Sequence, residues 1–127
     1  MKLEDLQIYQ LSMELGDKVW QIVAEWKYFE KDTIGKQLIR STDSISANIS
    51  EGFGRFHYQD SKRFYYIARG SLSETKTWLT KSYNRNLISE IAYNDFHSGL
   101  QDPSVKLNNY IKTIGKPTMN DNGISTA

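Results

Sequence analysis

Between residues 44 and 55 the chain reads SISANISEGFGR, a run of serines, an asparagine, a glutamate, two glycines and an arginine. Glycines ahead of a helix can cradle phosphate, but here neither a P-loop Lys-Ser/Thr pair nor a Gly-x-Gly-x-x-Gly after a strand is present. The serines fall inside a helical pattern and not on a strand-turn elbow, and a serine nucleophile needs a histidine base beside it. Glu51, and Glu74 further along, lie near core-facing stripes where acid–base work is formally open. Two polar residues at a helical seam more often form an interhelical hydrogen-bonded pair that fixes register. Gly52 and Gly54 read as a helix stop followed by a sharp turn at positive φ.

Metal chemistry fares no better. There are no cysteines, and the two histidines, His57 and His97, lack a glutamate three residues before them. Helical-bundle di-metal sites are built from such Glu-x-x-His pairs, so no metal and no cofactor is expected. The strongest chemical feature comes next, in RFHYQDSKRFYYIARGSLSETK (residues 55–76). Lys62, Arg69 and Lys76 recur every seven residues and so share one helix face, roughly opposite a Phe64/Ala68/Thr75 core stripe, with Tyr65, Tyr66 and Ser73 alongside. Basic residues interleaved with tyrosines can neutralise phosphates and stack on unpaired bases, whether in RNA or single-stranded DNA. The competing reading is an ordinary solvated face whose long stems cover apolar surface.

Four helices must position these residues. Ile8, Leu11, Leu15, Val19, Ile22 and Trp26 mark one face of a helix from about Asp5 to Phe29. Leu6, Tyr9, Met13 and Trp20 mark a second apolar stripe on it. A helix with two apolar faces is either deeply buried or packs on its own bundle and on another subunit, and in so small a chain the second makes these four residues candidate contacts of an oligomer. A second helix is expected from Thr33 to the glycines, with Ile34, Leu38, Ile45 and Ile49 inward. A third runs from Tyr58–Ser61 to about Arg85 and turns in Phe64, Ile67, Ala68, Leu72, Trp78 and Leu79, with Ser71 and Thr75 among them. The fourth starts near Ser89 with Tyr93, Phe96, Leu100, Leu107, Ile111 and Ile114 in register. Asp102-Pro103 resembles a fresh cap and first-turn proline, so a kink or break is expected there. The fold class is therefore all-α, an antiparallel up-down four-helix bundle over residues 1–114, with a disordered tail at 115–127.

Charge is polarised along the chain although the net is only +1. Residues 1–34 hold four lysines against seven acids, and residues 35–86 nine basic residues against four acidic ones. Such polarity suits nucleic acid or an acidic partner, and equally suits mutual neutralisation within an oligomer. No run approaches the roughly 18 apolar residues of a membrane span. The start, MKLEDLQIYQ, lacks the order of a signal peptide, so the cytoplasm is the expected compartment.

QLIRSTDSISANISEGFGR followed by YIARGSLSE resembles the paired signature of the bacterial 23S rRNA-intervening-sequence protein family. The match runs through Gln37, Leu38, Arg40, Ser44, Ile45, Asn48, Ile49, Glu51 and Gly52, then Ile67, Ala68, Gly70, Ser71 and Glu74. LEDLQIYQLSMEL also looks like the start of that family, and the resemblance covers about residues 3–114. It implies an antiparallel four-helix bundle assembling into a ring, a pentamer in relatives, with no catalytic residues to carry over. A related accessory protein of diversity-generating retroelements is a basic pentameric barrel that binds nucleic acid and a reverse transcriptase. This chain departs from those basic relatives in being nearly neutral, and from the family pattern in the proline of its last helix.

Within that frame Gly70 and Ser71 are small residues that let two helices approach closely. Asn48 and Ser71 are expected to hydrogen-bond across that contact in a polar structural seam with Ser44, with Glu51 or Glu74 anchored by Arg40, Arg55 or a helix N-terminus. The reading is a non-enzymatic, ring-forming adaptor whose phosphate contacts are Arg55, Lys62, Arg63, Arg69 and Lys76, with Tyr65 or Tyr66 beside them. The alternative is a purely structural or protein-interaction module whose basic helix meets the acidic first helix of a neighbouring copy.

Overall fold

The computed structural model describes residues 1–55 and 57–114, and the tail expected to be disordered lies outside the described residues. Every regular element among the described residues is helical. A short turn, Leu3–Asp5, is closed by the Lys2 backbone N–H donating to the Asp5 carboxylate at 3.1 Å. It leads into α1, Gln7–Ala24, whose buried residues Ile8, Ser12, Leu15, Gly16, Val19 and Val23 form one continuous stripe. The helix ends before the expected Phe29. Trp26 instead turns inward and donates its indole N–H to the Leu87 carbonyl at 3.2 Å, tying this corner to a turn 61 residues further on.

Tyr28–Glu30 and a π-helical turn, Lys31–Gly35, run without a gap into α2, Lys36–Phe53, so the second helical stretch begins five residues earlier than Thr33. Gly35 is needed at this junction, because a Cβ there would lie 2.8 Å from Val23 Cγ1. Helix α3, Tyr58–Asn84, buries Ser61, Tyr65, Ala68, Leu72, Thr75, Leu79 and Ser82. That alternating four-three spacing is a heptad seam, half of it short or hydroxylated side chains. The expected inner face is thus rotated: Ile67 is 45 % exposed and Phe64 only half-buried, while Tyr65 is fully inside.

The α3 end is closed by Asn86 at φ 61, a left-handed residue that asparagine tolerates, with the Leu87 N–H on the Ser82 carbonyl at 2.9 Å. Ser89 then caps α4, Glu90–Thr113, by accepting from the Ala92 N–H at 3.1 Å. Pro103 does not end α4: it lies inside the helix, and its ring is itself buried. An interior proline forfeits one backbone bond and costs about 3 kcal/mol. The carbonyl that loses its partner is that of Gly99, an exposed residue that water can reach. On either side, Phe96, Leu100, Leu107 and Ile111 stay in register against the core and hold the helix through.

Neighbouring helices run in opposite directions, as their pairings show. Gly16 meets Asp43 and Val23 meets Gly35 between α1 and the start of α2. Ser41 pairs with Thr75 and Ser44 with Ser71 between α2 and α3. Tyr93 stacks on Tyr83, and Tyr110 meets Tyr65, between α3 and α4. Lys18 reaches Asp95 between α1 and α4. The most extensive pairing is that of α2 with α3. Among the described residues no helix is long and apolar enough to cross a membrane.

The α2–α3 corner corrects the expected roles of the glycines. Gly54 has φ −78, so no left-handed turn is made there. A Cβ on Gly52 would meet the Ser61 carbonyl oxygen at 3.0 Å and Tyr65 Cζ at 3.0 Å, whereas one on Gly70 meets nothing within 4 Å. Gly52 is therefore the close-approach residue and Gly70 is not. Gly52→Ala should destabilise the protein by about 1–2 kcal/mol, overpacking outweighing the gain in helix propensity. Gly70→Ala should stabilise it by about 0.5–1 kcal/mol. Urea denaturation of both variants checks the pair, and equal effects would contradict the packing described.

Candidate nucleic-acid interface

The polar seam between α2 and α3 underlies everything the α3 surface displays. The Ser71 hydroxyl donates to Ser44 Oγ at 2.9 Å, and Asn48 Nδ2 donates to the same Ser44 Oγ at 2.9 Å and to the Ser44 carbonyl at 2.8 Å. Asn48 and Ser71 thus meet through Ser44 and not directly. One turn away, buried Thr75 donates to Ser41 Oγ at 3.1 Å, a link that apolar periodicity had no means to reveal. Most of these hydroxyls are also close to carbonyls of their own helix, Ser41 and Thr42 to Leu38, Thr75 to Ser71 and Ser82 to Trp78. Burial therefore leaves few of them unsatisfied.

Arg40, Glu51 and Glu74 are not part of this seam. Arg40 bonds to Gln37 on its own helix, Glu51 accepts from Arg55 at 3.1 Å, and Glu74 accepts from the Trp78 indole at 3.1 Å. All three lie at the exposed rim, where their spacing along one helix satisfies them without crossing to another.

The heptad on α3 decides where its cations go. Lys62, Arg69 and Lys76 each follow an inward residue, Ser61, Ala68 and Thr75, so they flank the core and do not stand opposite it. Lys62 and Lys76 are accordingly half-buried, and Arg69 is exposed. Arg69 donates to Asn108 Oδ1 on α4 at 3.3 Å, and its guanidinium lies 4.8 Å from the Tyr66 ring centre. Lys62, Arg63 and Tyr66 line one open groove of about 440 Å³ with Gln59 and Ile67. Arg55 and Arg63 both lie over the Phe64 ring, at 4.6 and 5.0 Å. The structure thus brings Lys62, Arg63 and Tyr66 together, with Arg69 over Tyr66 and bonded to Asn108, while Arg55 lies with Phe64 further round α3 and is linked to the rest through Arg63. Lys76 sits two turns further along, outside the groove lining.

Tyr65 does not belong to this edge. It is 0 % exposed, packed edge-on against Tyr110 at 5.0 Å, and its hydroxyl has no hydrogen-bond partner among the described residues. Burial pushes its phenol well above the ordinary tyrosine range, with the neighbouring Tyr110 adding to the effect. The expected outer face of α1 is also divided. Leu6 is only 7 % exposed and joins the core, because its side chain precedes the first turn of α1 and folds under it. Tyr9 is half-buried, whereas Met13 and Trp20 are exposed, Trp20 at 61 %. A second groove of about 410 Å³ is lined by Trp20, Val23, Ala24 and Ile39 with Lys31, Lys36 and Arg40. Among the described residues no group of three or more His, Cys, Asp or Glu is arranged to hold a metal ion.

A sequence profile described as 23S rRNA-intervening sequence protein matches residues 4–109. No curated protein matches the chain. Among solved structures, a protein of unknown function from the S23 ribosomal protein family of Bacteroides thetaiotaomicron is similar, with a TM-score of 0.75. The two are 23 % identical over 84 % of this chain and 99 % of that one, a likeness of fold.

The buried phenol gives a pH test. Below the unfolded-state value of about 10 both states hold the Tyr65 proton and stability is unaffected. Above it the unfolded chain releases the proton while the fold retains it, so stability falls, by up to about 1.4 kcal/mol per pH unit. Tyr65→Phe should remove that share of the alkaline loss between pH 9.5 and 11, and at pH 7 it should be neutral or stabilising by up to about 1 kcal/mol. Denaturation midpoints across that range check it. A variant that loses stability as steeply as the parent would contradict the buried placement.

Proposed function

The chain belongs to the 23S rRNA-intervening sequence protein family, and we propose that it acts in the cytoplasm as a non-enzymatic, ring-forming adaptor holding nucleic acid on the basic edge of α3. The observation that carries this reading is the spread of cations over the outward surface of α3: Lys62 and Arg63 line one groove with Tyr66, Arg69 lies over Tyr66, and Arg55 joins them through Phe64, the ring that Arg63 also covers. Cations gathered on one edge release counterions when a phosphate backbone replaces them, which a net charge of +1 on the whole molecule does not prevent. The ring rests on Met13 and Trp20, large apolar side chains exposed on the outer face of α1. Five subunits is the number that resemblance to the family implies. RNA and single-stranded DNA are the ligands this edge suits, and no catalytic residue is assigned.

A second reading, a protein-interaction module without nucleic acid, has its own observation in the groove around Trp20. Its apolar lining and its rim of Lys31, Lys36 and Arg40 suit an acidic protein surface, including the acidic face of a neighbouring copy. Salt-sensitive assembly with no uptake of nucleic acid would select it.

Fluorescence anisotropy with a labelled single-stranded RNA separates the two. Four phosphate contacts predict that log affinity falls against log salt with a slope of about −3, and that Arg63→Ala lowers the magnitude of the slope by about 0.7. Absence of any salt-dependent binding would contradict the adaptor reading.

A further inference from the structure

A single strand of nucleic acid offers two chemistries, the charge of its phosphates and the flat faces of its unpaired bases. The cations of α3 address the first, and two tyrosines on the same flank address the second. Tyr58 is the first residue of α3 and is 41 % exposed, and Tyr66 is 45 % exposed. Lys62 stands midway between them, so the three residues follow at four-residue steps along one side of the helix. Arg69, three residues beyond Tyr66, continues the same side.

Tyr66 is the more firmly held ring. The Arg69 guanidinium lies 4.8 Å from its centre, and Arg69 is itself bonded to Asn108 on α4 at 3.3 Å. A cation over one face of a ring steadies it and leaves the opposite face for a second flat partner. Tyr66 also lines the open groove of about 440 Å³ with Lys62, Arg63 and Ile67, and Ile67, 45 % exposed, adds apolar surface there.

Spacing decides what kind of strand fits. The eight residues from Tyr58 to Tyr66 separate the two rings by about 12 Å along the helix axis. Neighbouring bases stacked in a duplex strand rise only about 3.4 Å, and their faces are closed against one another. The two rings therefore suit bases that have left the stack and are at least one nucleotide apart, which leaves the phosphates between them to Lys62.

Resting on the nucleic-acid reading above, we infer that Tyr58 and Tyr66 are a pair of base-stacking platforms on either side of Lys62, so that this flank of α3 holds single-stranded nucleic acid by its unpaired bases as well as by its phosphates. Every base has a flat face, so the grip tolerates any sequence.

Fluorescence anisotropy compares a labelled thymidine oligonucleotide with an abasic oligodeoxynucleotide of the same length, which keeps the phosphates and lacks the bases. The thymidine strand should bind the unaltered protein at least about tenfold more tightly, the contribution of stacked bases. Tyr58→Leu and Tyr66→Leu should each weaken the thymidine strand about tenfold, with the salt slope unchanged because no charge is lost. Tyr58→Phe and Tyr66→Phe keep the rings and should bind within about twofold of the parent. Lys62→Gln should instead weaken both strands alike and lower the magnitude of the slope by about 0.7. An abasic strand that binds within about twofold of the thymidine strand, or folded leucine variants that bind thymidine like the parent, would overturn the inference and leave the adaptor reading standing. Failure of both strands to bind would overturn the adaptor reading itself.

Discussion

The close contact of α2 with α3 is the constraint from which the rest of this bundle follows. It is made of short side chains: Ser41, Ser44 and Gly52 on one helix, Ser61, Ala68, Ser71 and Thr75 on the other. Side chains of this size let two backbones approach, and they contribute less apolar burial than leucines in the same places. Hydroxyls recover part of the difference, since Ser41, Ser71 and Thr75 lie within bonding distance of carbonyls one turn back, and Ser71 and Thr75 also reach Ser44 and Ser41 across the gap. A buried hydroxyl that lost its partner would cost about 1–3 kcal/mol, so such a seam tolerates one register and penalises others.

Register on the inside sets geometry on the outside. With Ser61, Ala68 and Thr75 turned to α2, the heptad brings Tyr65, Leu72 and Leu79 toward the centre of the bundle. Tyr65 then fills the space that the missing Cβ of Gly52 leaves open, and reaches Tyr110 on α4. The residues that follow the seam positions, Lys62 and Arg69, are carried to its flank, where α4 supplies Asn108. Rotation of α3 by a single position would send Tyr65 outward and bury a charge. The basic edge is a product of the packing and not an independent decoration.

Much of this was legible in the sequence, and the failures have physical causes. Ile8, Leu15 and Val19 on α1, and Phe96, Leu100, Leu107 and Ile111 on α4, announce their inward faces because they are large, apolar and regularly spaced. On α3 the inward face is half serine, threonine and alanine, which leaves a periodicity search to follow Phe64 and Ile67 and so to misplace Tyr65. Gly52 and Gly70 look alike as letters, and only the neighbouring helix separates a glycine wedged on a tyrosine from one facing open space. Pro103 reads as a boundary, yet the core contacts before and after it outweigh its local cost. Asn108 gives no signal at all, since its role depends on an arginine 39 residues earlier in the chain.

If the α2–α3 seam is the constraint on which the other contacts depend, it should be the last part of the molecule to open. Native-state hydrogen exchange tests this most directly, because it ranks the opening free energy of each helix in one experiment. The amides of α2 between Leu38 and Ile49 and of α3 between Ala68 and Leu79 should exchange only through global unfolding. Those near the start of α1 and the end of α4 should exchange earlier, through local opening. Exchange of α2 or α3 by a partial opening that leaves α1 and α4 protected would contradict the account.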